Sequence, residues 1–183
     1  MRWQAILEDG FACLVARLLP YALIYTTAIS LVTAPLIIFG QMRFEGNYFF
    51  HLPSMLMTGF SISLLALLVT WKTNQPSEGG SKMILIVPPG FILGGSLLAS
   101  GYMPAWVNTV KFCFPLTWEY EFWRDFAMRG LPLSDMIKSY GQYALYMTVI
   151  TSILAVVYYK TRQNFFEMKK LEQSEVEKAQ SEA

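Results

Sequence analysis

The chain has 183 residues, of which 54% are hydrophobic and only 15% charged, with a net charge of +1. That balance fits a membrane protein and argues against a soluble one. With no basic stripe to neutralise phosphates, nucleic acid is excluded as a partner. Four stretches carry no charged residue: Leu18 to Met42, Gly46 to Trp71, Met83 to Val110 and Ser139 to Tyr159. Each is long enough to cross a bilayer, which takes about 20 apolar residues in a helix. Four such runs do not fit a small soluble domain. The expected fold is all-α: a polytopic membrane helical bundle of four spans, with a re-entrant or interfacial helical segment between the last two.

Residues 1–17 mix Trp3, Ile6, Leu7, Phe11, Leu14 and Val15 with Arg2, Glu8, Asp9 and Arg17, the pattern of an interfacial amphipathic segment. Glu8 and Asp9 interrupt any signal-peptide core, so the first span is expected to act as the insertion signal. Span one is placed at about 18–40, with Pro20 where a helix start tolerates proline and Pro35 in its last turns. Gln41 to Tyr48 reads as a short polar turn. Span two is placed at about 49–71 and ends on Trp71-Lys72, an aromatic-plus-basic anchor. Thr73 to Ser81, with Asn74, Gln75, Pro76, Gly79 and Gly80, reads as a loop.

The third run contains Pro88-Pro89, Gly94-Gly95, Gly101 and Pro104, which is too irregular for one helix. A span over about 83–99, broken or bent at the prolines, leaves 100–138 as the re-entrant or interfacial segment. Broken helices persist at membrane depth only when protein or water satisfies their freed backbone groups. Within 118–130, Glu121 is spaced to pair with Arg124, and Asp125 with Arg129. Ser134 reads as the N-cap ahead of the last span, 139–159. Residues 160–183 form a charged tail. Arg2, Arg17, Lys72, Lys82, Lys160, Arg162, Lys169 and Lys170 outnumber the basic residues of the other side, which places both termini in the cytoplasm.

Chemistry is sparse. There is no phosphate-binding loop, so the chain itself has no visible means of hydrolysing nucleotide. His51 is the only histidine and reads as an interfacial or packing residue, with no metal partner at suitable spacing. Cys13 and Cys113 read as unpaired thiols. No catalytic set can be assembled, and no enzyme is expected. Thr26, Ser30 and Thr33 share one face of span one, and Ser54, Thr58 and Ser61 share one face of span two. These hydroxyls either line a polar path or bond back to their own helices. Gly90 and Gly94 make a small-residue face for close helix packing, within the subunit or between subunits. Glu119, Glu121 and Asp125 either contact a cationic substrate or form the solvated face of an interfacial helix.

The order MILIVPPGFILGG, SGYMPAW, FPLTWEYEFWRDFAMRG over residues 83–130 resembles the C-terminal part of type-2 ATP-binding-cassette exporter permeases, especially bacterial inner-membrane ones. Pro89, Gly94, Gly95, Met103 and Pro104 carry the first half of the match. Pro115, Leu116, Thr117, Arg124 and Gly130 carry the second. The resemblance implies a subunit that pairs with a second permease copy or paralogue and is driven by partner ATPase subunits, which bind the ATP. No cofactor is expected in this chain. Glu8, Asp9 and Gly10 loosely resemble the end of the family's ATPase-coupling element. The match covers the last four of the family's six spans. A half-subunit, a piece of a longer chain and a non-transporting remnant or scaffold all remain open.

Overall fold

The computed structural model describes residues 7–73, 76–96 and 103–181. The beginning of the amphipathic segment, loop residues Asn74 and Gln75, residues 97–102 at the junction of the third span and the re-entrant segment, and the last two residues lie outside it. The described residues are helices and turns, without strand. Three helices are long and apolar enough to cross a bilayer: Phe11–Ile38, Tyr48–Thr70 and Leu133–Ser174. The chain divides into two compact units, one of residues 18–150 and one of residues 1–17 with 151–183.

In chain order the helices are α1 (Phe11–Ala16), α2 (Leu19–Ile38), α3 (Tyr48–Thr70), α4 (Pro76–Met83), α5 (Val87–Phe91), α6 (Ala105–Val110), α7 (Pro115–Trp123) and α8 (Leu133–Ser181). The expected first and second spans therefore appear with their ends shifted by a residue or two. Asn47 starts α3 as an N-cap, its Oδ1 accepting from the Phe49 N–H at 3.0 Å. The α2–α3 contact is close because Gly59 has no side chain. A Cβ there would lie 2.9 Å from Tyr25 Cβ and 3.0 Å from Ala22 Cα.

Three expectations are corrected. The segment read as a plain loop contains α4, because Pro76 fits a first helical turn, and Glu78 and Lys82 sit at the ends that the helix dipole favours. The third run is broken, as expected, but its breaks do not fall at the prolines. A turn at 84–86 separates α4 from α5, and a π-helical piece, Ile92–Ser96, follows, with Gly95 at φ 91°. The prolines open α5 rather than bend a longer helix, since proline lacks the N–H that an interior position needs. Ser134 is not an N-cap. α8 begins at Leu133, and Ser134 Oγ instead lies 3.2 Å from Asp135 Oδ1.

Between α5 and α8 the chain breaks repeatedly. A 3-10 turn, Lys111–Cys113, joins α6 towards α7, and a π turn, Arg124–Met128, follows α7. The breaks free backbone carbonyls, and side chains take them up: Trp118 Nε1 donates to Phe112 O at 3.0 Å, and Tyr146 OH to Cys113 O at 2.7 Å. Trp118, Phe122, Phe126, Met136 and Tyr143 form the buried apolar centre of this unit. Gly90 and Gly94 face α7, where added Cβ atoms would meet Phe114 Cβ at 3.1 Å and Tyr120 Cδ2 at 2.5 Å. Their small-residue face thus packs within the chain. The turn after α2 also closes on the π turn, through Glu45 N donating to Ala127 O at 2.9 Å.

In the smaller unit, Phe11 packs on Tyr158 with ring centroids 5.5 Å apart, and Tyr158 OH donates to Leu7 O at 3.3 Å. Asp9 pairs with Arg17 at 2.6 Å and Glu8 with Lys169 at 3.3 Å, both at the surface. Gly10, at φ 94°, separates the helical turn 7–9 from α1.

Candidate functional site

The α3 stripe supplies the site. Ser54, Thr58 and Ser61 are completely buried, and so is His51, which extends the same face by one turn. Across from them α7 presents Glu119, only 8% exposed, and α8 presents Tyr143, fully buried. Thr58 Oγ1 donates to Glu119 Oε2 at 2.9 Å, and Tyr143 OH donates to Thr58 Oγ1 at 3.0 Å. Ser61 Oγ lies 2.8 Å from Tyr143 OH and donates to Thr58 O at 3.0 Å. His51 Nε2 approaches Glu119 Oε1 to 3.1 Å, yet it makes no directed hydrogen bond, so the contact is electrostatic. On the other ring nitrogen, Nδ1 lies 3.0 Å from Ser54 Oγ.

Aromatic rings wall off the imidazole. Trp123 meets it edge-on with centroids 5.2 Å apart, and Phe126 does so at 6.0 Å. Trp118 stacks flat on Tyr143 at 5.1 Å, closing the other end. The result is a polar chain of six side chains from three helices inside an apolar bundle. Such a chain is costly unless each member is partnered.

Of the two readings of His51, interfacial or packing, the structure gives the packed one, with Glu119 beside it. One expectation is corrected: Glu119 does not form part of a solvated face. The local spacing of Ser54 three residues after His51 was the available signal. The partner on α7 is distant in sequence and left no local trace. Glu121 and Asp125 do pair as their spacing predicts, with Arg124 at 2.6 Å and Arg129 at 2.9 Å. Glu121 also reaches Lys111, 2.9 Å away, whose side chain is only 5% exposed.

Burial pushes Glu121 up, but the Lys111 and Arg124 cations outweigh it and hold the carboxyl below its ordinary value. Asp125 is raised by burial, which Arg129 only partly offsets. A carboxyl lowered by folding adds stability above its unfolded value and loses it as pH falls through the folded one. Glu121→Gln should therefore be less stable than the parent chain at neutral pH. The difference should shrink below about pH 4.3, the ordinary glutamate value. Denaturant unfolding at several pH values checks this, and a difference that persists unchanged at low pH contradicts it.

The other expected positions scatter. Thr26 and Thr33 bond back to Ala22 O and Ile29 O, each at 2.9 Å, and Thr33 also meets Tyr48 OH at 2.8 Å. Ser30 Oγ meets Met55 Sδ at 3.6 Å. This face of α2 joins α2 to α3 and does not join the polar chain. Pro89 lies in α5, Met103 and Pro104 precede α6, and Gly130, at φ 61°, ends the π turn region. Pro115, Leu116 and Thr117 open α7, and the buried Thr117 hydroxyl has no hydrogen-bond partner. Glu8, Asp9 and Gly10 lie in the smaller unit. Among the described residues no group of histidine, cysteine and carboxylate side chains is arranged to hold a metal ion. Comparison of the chain with protein-family models, with curated proteins and with solved structures gives no match.

Proposed function

We propose that the chain is a membrane-spanning permease subunit, or the C-terminal part of one, of an ATP-driven exporter in the bacterial inner membrane. Partner ATPase subunits bind the ATP, a second permease copy or paralogue completes the pathway, and both termini face the cytoplasm. In this reading the broken α5 region is the third of four crossings, and residues 100–138 form the re-entrant segment before the last.

The observation that carries the reading is the broken segment between α5 and α8. Its freed carbonyls are taken up by Trp118 and Tyr146, the condition under which irregular backbone persists at membrane depth. The buried His51–Glu119 contact adds support, because ionisable groups inside a spanning bundle mark substrate or ion pathways. ATP-driven closure of the ATPases would reach the bundle through cytoplasmic segments and rearrange the spans.

The test is copurification with an ATPase encoded beside the gene, followed by ATP-dependent transport into inverted membrane vesicles. The expected result is a stable complex whose transport is lost in Arg124→Ala at unchanged protein abundance. A chain that associates with no ATPase, or an Arg124→Ala variant that loses partner binding alone, makes it a scaffold instead.

A further inference from the structure

We propose that His51 and Glu119 form a proton-binding site that together holds one exchangeable proton, and that the Ser54 hydroxyl turns with its occupancy. The inference does not rest on the exporter reading, because a scaffold with this interior would bind the same proton.

The first ground is charge. His51 is fully buried, and the Glu119 side chain retains only 11% exposure. An imidazolium beside a carboxylate, and an imidazole beside a carboxylic acid, both carry one proton and are neutral overall. Removing that proton leaves an uncompensated negative charge in an apolar interior, and adding a second leaves a positive one. Only the singly protonated pair is neutral overall.

The second ground is the direction of hydrogen bonding. Tyr143 donates to Thr58 and Thr58 to Glu119 Oε2, so donation runs toward the carboxylate and satisfies that oxygen. Oε1 is left facing Nε2, which is buried and has no directed hydrogen-bond partner. Two bare lone pairs 3.1 Å apart repel, whereas a proton on either atom makes the approach attractive.

The third ground is Ser54, whose hydroxyl has two acceptors within reach: His51 O at 2.8 Å and His51 Nδ1 at 3.0 Å. When the ring is an imidazolium, Nδ1–H donates to Ser54 Oγ, and the serine hydrogen stays on the carbonyl. When the proton on Nδ1 leaves, the serine turns and donates to Nδ1. One N–H bond breaks, its electron pair remains on nitrogen, and the proton passes to water; nothing is oxidised or reduced. Of the six side chains only Glu119, on the Nε2 side of the ring, has exposed surface.

The neighbouring titratable groups do not compete. α2 contributes Tyr25, α3 Tyr48, α7 Tyr120, and α8 Tyr140 and Tyr143, all phenols. Phenols stay neutral below about pH 10. The nearby cations Lys111 and Arg124 pair with Glu121.

Because His51 is the only histidine among these 183 residues, 15N-histidine labelling of this chain in lipid nanodiscs reports on this ring alone. NMR across about pH 4 to 9 covers the range in which imidazoles and carboxyls exchange protons. The expected result is one titration step seen at both ring nitrogens. Its midpoint should move by about one pH unit or more in Glu119→Gln, which removes the neighbouring charge. Thr58→Val, which removes a donor to the carboxylate and leaves the ring intact, should also move it. A ring that keeps one protonation state throughout overturns the proposal. So does a midpoint that neither variant moves.

Discussion

His51→Ala should destabilise the chain by about 3 to 5 kcal/mol, the cost of leaving one partner of a buried ionic contact alone. Glu119 would keep the Thr58 hydroxyl at 2.9 Å but lose the imidazole at 3.1 Å, in a cavity walled by Trp123 and Phe126. The empty ring site adds a packing loss to the electrostatic one. Replacing both partners with apolar side chains, in a His51→Leu, Glu119→Met double variant, should recover most of that loss. Thr58 and Tyr143 would still bond to each other, leaving a deficit of about 1 kcal/mol. Denaturant unfolding in detergent micelles, followed by tryptophan fluorescence, measures both. A single variant that costs less than the double would mean the His51–Glu119 contact contributes no coupling.

The second large effect is expected at Gly46→Ala, at about 2 to 3 kcal/mol. A methyl group there would sit 2.5 Å from the Phe126 carbonyl oxygen, a backbone atom that cannot rotate away. The two strands of chain cannot simply part, because Glu45 N is hydrogen-bonded to Ala127 O at 2.9 Å one residue on. Gly80→Ala is the matching control. No atom lies within 4 Å of its added Cβ, and the position is helical. It should be neutral or stabilising by up to about 1 kcal/mol. Equal losses at both positions would mean that the loop does not grip the π turn.

The spans that were legible in the sequence are those with unbroken uncharged runs. α2 and α3 end within a residue or two of the expected limits, because charge and interface residues bound them sharply. The run from Met83 is broken, as its prolines and glycines lead one to expect, but the break points were not legible, because proline position, not hydropathy, decides where helices can start. Pro76 and Pro88 each open a short helix. At the site, Ser54, Thr58 and Ser61 were visible as a stripe through helical spacing alone. Their partners Glu119 and Tyr143 were not, since nothing local in WEYEFW distinguishes an inward carboxylate from the outward ones two and six residues on. Only the fold turns Glu119 toward α3 while Glu121 meets Lys111 and Arg124. The contact between Gly46 and the Phe126 carbonyl is equally non-local.

In the membrane-spanning reading proposed above, the polar chain also implies an order of events during biosynthesis. Thr58 and His51 leave the ribosome first, Glu119 follows well after, and Tyr143, which donates to Thr58, emerges last. Until α8 has entered the bilayer, the hydroxyl chain on α3 lacks its α8 member, and the Trp118 ring has no tyrosine to stack on. The nascent segment around Glu119 therefore has reason to wait in the headgroup layer, where water can serve its carboxylate. It can be drawn inward when the final helix arrives, so translation of the last span would act as the closing step of assembly.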